Sequence, residues 1–259
     1  GWSVKDAMLA LLPLAAASAH APISQFNVGA VAACTRGDNQ DEVFLYLGAN
    51  LEFRGGTLSD SVHAEQAAVV RAWLDGASTL TAIATSAAPC GHCRQFLTEV
   101  RSAHGVMLFN PDGEGGLPDM LPEAFDPGAL GSRVRLFDHN LTDVATELRD
   151  AGNLLATEAL GAARQAYTPY SGCPSGAALH LASGRVVEGR ALESVAFNPS
   201  LSPMQCALAQ IGHPTLTSDP VVAALLAEGP GGVSHASRDA RLLQLVAPGV
   251  ELQVLELLK

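Results

Sequence analysis

The chain repeats part of itself. "APISQFNVGA" at residues 21–30 matches "TPYSGCPSGA" at 168–177 at Pro, Ser, Gly and Ala, and "GANLE" at 48–52 matches "GRALE" at 189–193. A duplication constrains the fold more than composition does, because each copy is one folding unit with its own core. A chain of 259 residues, 48% hydrophobic and 16% charged, carries enough apolar mass for two such units.

Periodicity gives the kind of unit. "MLALLPLAAASAHA" at 8–21 has the apolar run and small-residue end of a secretory signal. However, Asp6 cancels Lys5 in the would-be basic region, and the run is too short for a bilayer. It is read instead as a buried helix ending near His20 and Ala21. "FNVGAVAAC" and "EVFLYLGAN" read as strands around the polar turn "TRGDNQD", followed by a helix at 61–74 and a strand at 81–88. A helix over "GHCRQFLTEVRSA", introduced by Pro89, and a strand over "GVMLFN" complete the first copy. This order predicts an α/β unit with helices packed on a sheet. Residues 111–132, dense in Gly, Pro and acids, read as the linker to a second helix-led copy.

One stretch of the first copy carries chemistry. "APCGHCRQF" at 88–96 sets Cys90 and Cys93 at the start of a helix, where backbone N–H groups favour thiolates whether for redox work or for metal. Cys-x-x-Cys alone decides nothing, and His-x-Glu alone is common. Together, His63-Ala-Glu65 and Pro89-Cys90-x-x-Cys93 are a rarer pairing: three soft ligands for Zn²⁺, an open position for water, and a carboxylate to move its proton. A redox dithiol leaves His63 and Glu65 unexplained, and a closed structural zinc site needs a fourth ligand where only Glu65 stands.

The second copy is expected to lack this chemistry. Extended without a gap from Gly48 and Gly189, the match sets Met204 opposite His63 and Cys206 opposite Glu65, and no Pro-Cys-x-x-Cys follows. Cys34, Cys173 and Cys206 read as small core side chains. His104, His139, His180, His213 and His235 have no partner at ligand spacing, and His92 is expected to point away from the metal. Five scattered cysteines suggest a reducing compartment. A net charge of −11 without a Lys/Arg cluster repels phosphate backbones, so a nucleic acid is not an expected partner, and with the apolar run too short for a bilayer neither is a membrane.

"HAEQAAV", "PCGHCRQF", "GANLEF" and "ISQFNVGA" resemble the cytidine deaminases, specifically their dimeric two-domain branch with a His-Cys-Cys zinc site. The resemblance covers nearly the whole chain. It implies a duplicated three-layer α/β/α fold with a mixed five-stranded sheet in each copy. Residues 1–20 would end a longer N-terminal helical segment, 21–130 would form the catalytic domain with the linker at its end, and 131–259 a degenerate, non-catalytic domain. It implies hydrolysis of a C–N bond of a cyclic amidine: cytidine, and 2′-deoxycytidine, to uridine or its deoxy form plus ammonia, in pyrimidine salvage in the cytoplasm. One zinc per chain would sit on His63, Cys90 and Cys93, with Glu65 as the proton carrier. Asn50 and Glu52 would bind the ribose 3′-hydroxyl, Phe26 and Phe125 would pack on the pyrimidine, the latter from a neighbouring subunit of a homodimer, and the backbone around Ala64 and Cys90 would read the cytosine edge. Arg94 would donate to a zinc thiolate. A deaminase of another nucleoside or of nucleic acid is the rival reading, and a thiol redox protein the more distant one.

Overall fold

The computed structural model describes residues 1–37, 39–138, 153–212 and 217–257, so His139 and His213 lie outside the described residues. The chain divides into two units. Unit 1 comprises Gly1–Glu52, Ser61–His139 and Ser194–Pro199, and unit 2 comprises Phe53–Asp60, Asn140–Glu193 and Ser200–Lys259. The short segments that join the opposite unit are those directly after "GANLE" and "GRALE".

Unit 1 opens with helix α1 (Val4–Ala16), started by a reciprocal cap between Ser3 and Asp6. It stops short of the expected His20, because His20 pairs in strand fashion with Leu51, taking a bond from Glu52 N–H and giving one to Asn50 O. Strands β1 (Gly29–Arg36) and β2 (Asn39–Ala49) form a hairpin, followed by helix α2 (Ala64–Leu74), strand β3 (Thr79–Thr85) and helix α3 (Gly91–Leu97). Strands β4 (Met107–Asn110) and β5 (Gly113–Gly116) and the short helix α4 (Leu117–Met120) complete the unit. The sheet order is β2-β1-β3-β4-β5, antiparallel except between β3 and β4. Part of the stretch read as linker thus becomes an edge strand.

Side-chain alternation explains the three layers. Val31 and Ala33 of β1 and Ala82 and Ala84 of β3 meet Met8, Leu12 and Ala15 of α1 on one face. On the other face α2 lies so close to β2 that a methyl group at Gly48 would overlap Ala64 O and Ala68 N.

Unit 2 repeats the plan with helix α5 (Leu154–Arg164), strands β6 (Ser175–Leu181) and β7 (Val186–Arg190), helix α6 (Pro203–Ile211), strand β8 (Val221–Glu228), helix α7 (Ala236–Val246) and strand β9 (Leu252–Glu256). The sheet order is β7-β6-β8-β9. It has four strands among the described residues where five were expected. Even irregularities are shared: the β1–β3 ladder shifts register between Ala33 and Cys34, and the β6–β8 ladder shifts between His180 and Leu181. Gly189 touches α6 as Gly48 touches α2.

The ungapped alignment of the two copies needs correction. Leu51 bridges Val62 in the first copy, but Leu192 bridges Leu201 in the second, so the second loop is shorter. Helix α2 is therefore capped by His63 and α6 by Ser202, which places Ser202 opposite His63 and Met204 opposite Glu65.

In unit 2, Asp239 of α7 is wholly buried. Its Oδ2 accepts Met204 N–H at 3.1 Å, while Oδ1 has no hydrogen-bond partner among the described residues. Burial pushes its carboxyl up to about 7, against bonds from Ser202 and Met204 and the charge of Arg238, with Glu228 adding to the rise. A carboxyl whose folded pKa exceeds its unfolded value of about 4 supports the fold fully only below that value, and the support is lost as pH rises towards 7. Urea midpoints of the wild-type protein should fall as pH rises through this window, with a slope of up to about 1.4 kcal/mol per pH unit from this group. Asp239→Asn should remove that slope. Parallel profiles for the two proteins would refute the assignment.

Candidate metal and catalytic site

The site forms where the first residues of α2 meet the first residues of α3. His63 is the N-cap of α2, with extended backbone (φ −80°, ψ 155°), and Cys90 is the N-cap of α3 (φ −73°, ψ 166°). Strand β3 delivers Cys90, and one helical turn returns Cys93 to the same side. Nδ1 of His63 lies 3.5 Å from Cys90 Sγ and 3.3 Å from Cys93 Sγ. The three ligand atoms all lie within 4.8 Å of one another.

Two thiols and an imidazole at this spacing are a donor set for zinc, and three protein donors leave a position open. Contact with Cys93 lowers the Cys90 thiol to about 3, against burial and with help from His63, whereas the same contact and burial raise Cys93. The hydrogen bond that His63 donates to Cys90 raises the imidazole, against burial. These donors are spaced to share one cation.

Glu65 lies two residues past His63 in the first turn of α2 and is 4% exposed. Burial raises its carboxyl above the usual range, with hydrogen bonds from its own backbone and from Cys93 opposing. A buried carboxyl that accepts and returns a proton beside a metal site is what hydrolytic chemistry requires.

The loop at 21–28 is held by the two polar residues expected to bind ribose. Glu52 Oε2 accepts Ile23 N–H and Ser24 N–H, each at 2.9 Å, and its other oxygen accepts the Ser24 hydroxyl. Burial would raise Glu52, yet these bonds hold it below the usual carboxylate range. Asn50 accepts Val28 N–H at 2.8 Å and donates to Phe26 O at 3.0 Å. The loop they hold carries Phe26, which is 60% exposed and so is not part of the core. Glu193 makes the matching bonds to Tyr170 and Ser171 N–H in unit 2, so holding this loop is common to both copies.

The structure places the other expected residues as follows. Ala64 is the buried first residue of α2. Phe125 is half-exposed and tied at both backbone groups to the Gln95 side chain of α3. Arg94 donates to Met120 O in α4, and no hydrogen bond among the described residues links it to either thiol. His92 is not among the clustered donors; its ring stacks on His63 with centroids 4.8 Å apart and 23° between planes. The first turn of α3 lies against the start of α2, so the residue between the cysteines faces the same imidazole. Sequence reasoning also passed over Gln66, whose Oε1 accepts His63 N–H at 3.1 Å; its place three residues after an N-cap was a readable signal.

Comparison with known proteins gives two matches to the cytidine and deoxycytidylate deaminase zinc-binding region, at residues 3–109 and 117–240. A crystal structure of cytidine deaminase from Mycobacterium tuberculosis is 31% identical, covering 48% of this chain and 98% of that one, with a TM-score of 0.40. That from Burkholderia pseudomallei is 28% identical over 48% of this chain and 100% of its own, TM-score 0.40. That from Mycobacterium leprae is 26% identical over 47% and 100%, TM-score 0.40.

Removing one donor tests the site directly. Cys93→Ser should reduce bound zinc from about one per chain to a small fraction by elemental analysis after dialysis. Full zinc retention would show that the three side chains do not hold it.

Proposed function

The chain belongs to the cytidine and deoxycytidylate deaminase family, and from that premise we propose that it converts cytidine and 2′-deoxycytidine, with water, to uridine or 2′-deoxyuridine and ammonia. The observation that carries the reading is the clustering of His63, Cys90 and Cys93 with the buried Glu65 beside Cys93. Zinc held by these three side chains supplies a Lewis acid that makes water nucleophilic near neutral pH.

The chain's own groups do the rest. The carboxylate of Glu65 takes the proton from water, delivers it to the ring nitrogen, and returns protons to the departing amine. Its burial raises the pKa, which suits a group that must both accept and give a proton near neutrality. Phe26 offers an exposed ring for the pyrimidine, set by the loop that Asn50 and Glu52 hold. Asn50 and Glu52 are assigned the ribose 3′-hydroxyl, Ala64 and Cys90 backbone the base edge, Phe125 a second ring contact, and Arg94 support of the zinc thiolates. A net charge of −11 favours a small nucleoside over a polymer.

The wider setting is part of the proposal. The second copy, with Ser202 and Met204 in place of His63 and Glu65, is non-catalytic, and the reaction serves pyrimidine salvage in the cytoplasm, where free thiols persist. No helix among the described residues is long and apolar enough to cross a membrane. The assembly is a homodimer, which gives the half-exposed Phe125 a neighbouring site to serve. Sedimentation equilibrium should return twice the chain mass; a fully active monomer would overturn the dimer.

The deciding experiment follows uridine and ammonia from cytidine. Glu65→Gln should lower turnover by about 10²–10⁴-fold while keeping its zinc. Unimpaired turnover in that variant, or no turnover of either nucleoside by zinc-loaded wild type, would refute the proposed reaction.

A further inference from the structure

We propose that residues Ser194–Pro199, which the second half of the sequence contributes to unit 1, form a strap holding the two metal-bearing helices together, with Gln66 and Glu99 as its anchors. The inference rests on the metal reading above and adds a pair of positioning residues to it.

The first anchor is at the start of α2. Gln66 is fully buried; its Oε1 accepts His63 N–H at 3.1 Å, and its Nε2 donates to Pro199 O at 2.8 Å. One amide thus ties the backbone of a metal ligand to the strap. The second anchor follows α3. Glu99 is also fully buried and accepts Val195 N–H at 2.7 Å, two residues beyond the helix that carries Cys93. The strap therefore bonds to helix α2 and to the segment directly after α3, each through a buried polar side chain.

The strap's own backbone points the same way. Phe197 takes φ 61°, a left-handed conformation rarely adopted outside glycine, while its N–H donates to Ser194 O at 2.8 Å. Such a conformation persists where its surroundings over-determine it.

Unit 2 contains a mirror arrangement in which Ser202 stands in the place of His63. Gln205 accepts Ser202 N–H at 3.0 Å and donates to Asp60 O at 2.8 Å, in the segment Phe53–Asp60. The bond is thus a device of the duplicated fold. In unit 1 it lands on His63, and there a bond behind a ligand also tunes how firmly the metal is held.

That mirror supplies the control for the test. Wild type, Gln66→Met, Glu99→Asp and Gln205→Met are each loaded with zinc and, separately, with Co²⁺. The measurements are circular dichroism, zinc loss to a chromogenic chelator, and the visible absorption of the cobalt form. Gln66→Met and Glu99→Asp should lose zinc about 10–100-fold faster and shift the cobalt bands, whereas Gln205→Met, though less heat-stable, should match wild type in both readouts. Wild-type zinc loss and cobalt bands in Glu99→Asp overturn the strap even if Gln66→Met is affected, since capping of His63 would then suffice. If Gln66→Met does not fold, Glu99→Asp decides alone. A Gln205→Met protein as leaky as the unit 1 variants overturns the strap too, because general destabilisation would account for all three. Wild type that takes up no zinc removes the metal reading itself, and the strap with it.

Discussion

Helix α2 rests on strand β2 with no side chain between them at Gly48, and the geometry of the metal site in unit 1 follows from that contact. Backbone-to-backbone seating fixes the height of α2 above the sheet, and so the position of His63 and Glu65 at its start. Strand β3, two places along the same sheet, then delivers Cys90 to the same level. A metal site built from two helix starts tolerates little relative movement, because its donor atoms must converge within 4.8 Å. Any side chain at position 48 would lift the helix and part the donors.

The second copy shows which features serve the fold and which serve chemistry. It keeps the close glycine at 189, the shifted β-ladder, and the carboxylate of Glu193 on the loop that follows the leading helix. At the positions of His63 and Glu65 it has Ser202 and Met204. At the start of α6, the buried carboxylate of Asp239 takes the N–H of Met204. A helix start facing inward needs an acceptor or an anion. Unit 2 provides one from α7.

Polar residues around the catalytic site do more than one job. Glu52 and Asn50 use several hydrogen-bonding positions on loop backbone, and Gln95 places both amide atoms on Phe125. The backbone that carries these exposed rings is thus set by the scaffold. The same economy is visible in Gln66, which caps His63 with one atom and reaches Pro199 with the other.

Local pattern and motif were enough for the class of the fold, the duplication and the His-Cys-Cys donor set, because these depend on alternation and on residue types at short spacing. Element ends depended on pairing across the fold. α1 stopped at Ala16 because His20 pairs with Leu51, and α3 stopped at Leu97 because the chain at Glu99–Arg101 bonds instead to Leu136. The register between copies was lost for the same reason: a loop shortened between Leu192 and Leu201 shows no mark until its bridge is seen. The stacking of His92 on His63 and the reach of Gln66 and Glu99 to residues far along the chain were tertiary decisions throughout. Sequence spacing specifies neighbours within a turn or a strand; contacts across more than ninety residues exist only once packing brings their backbones together.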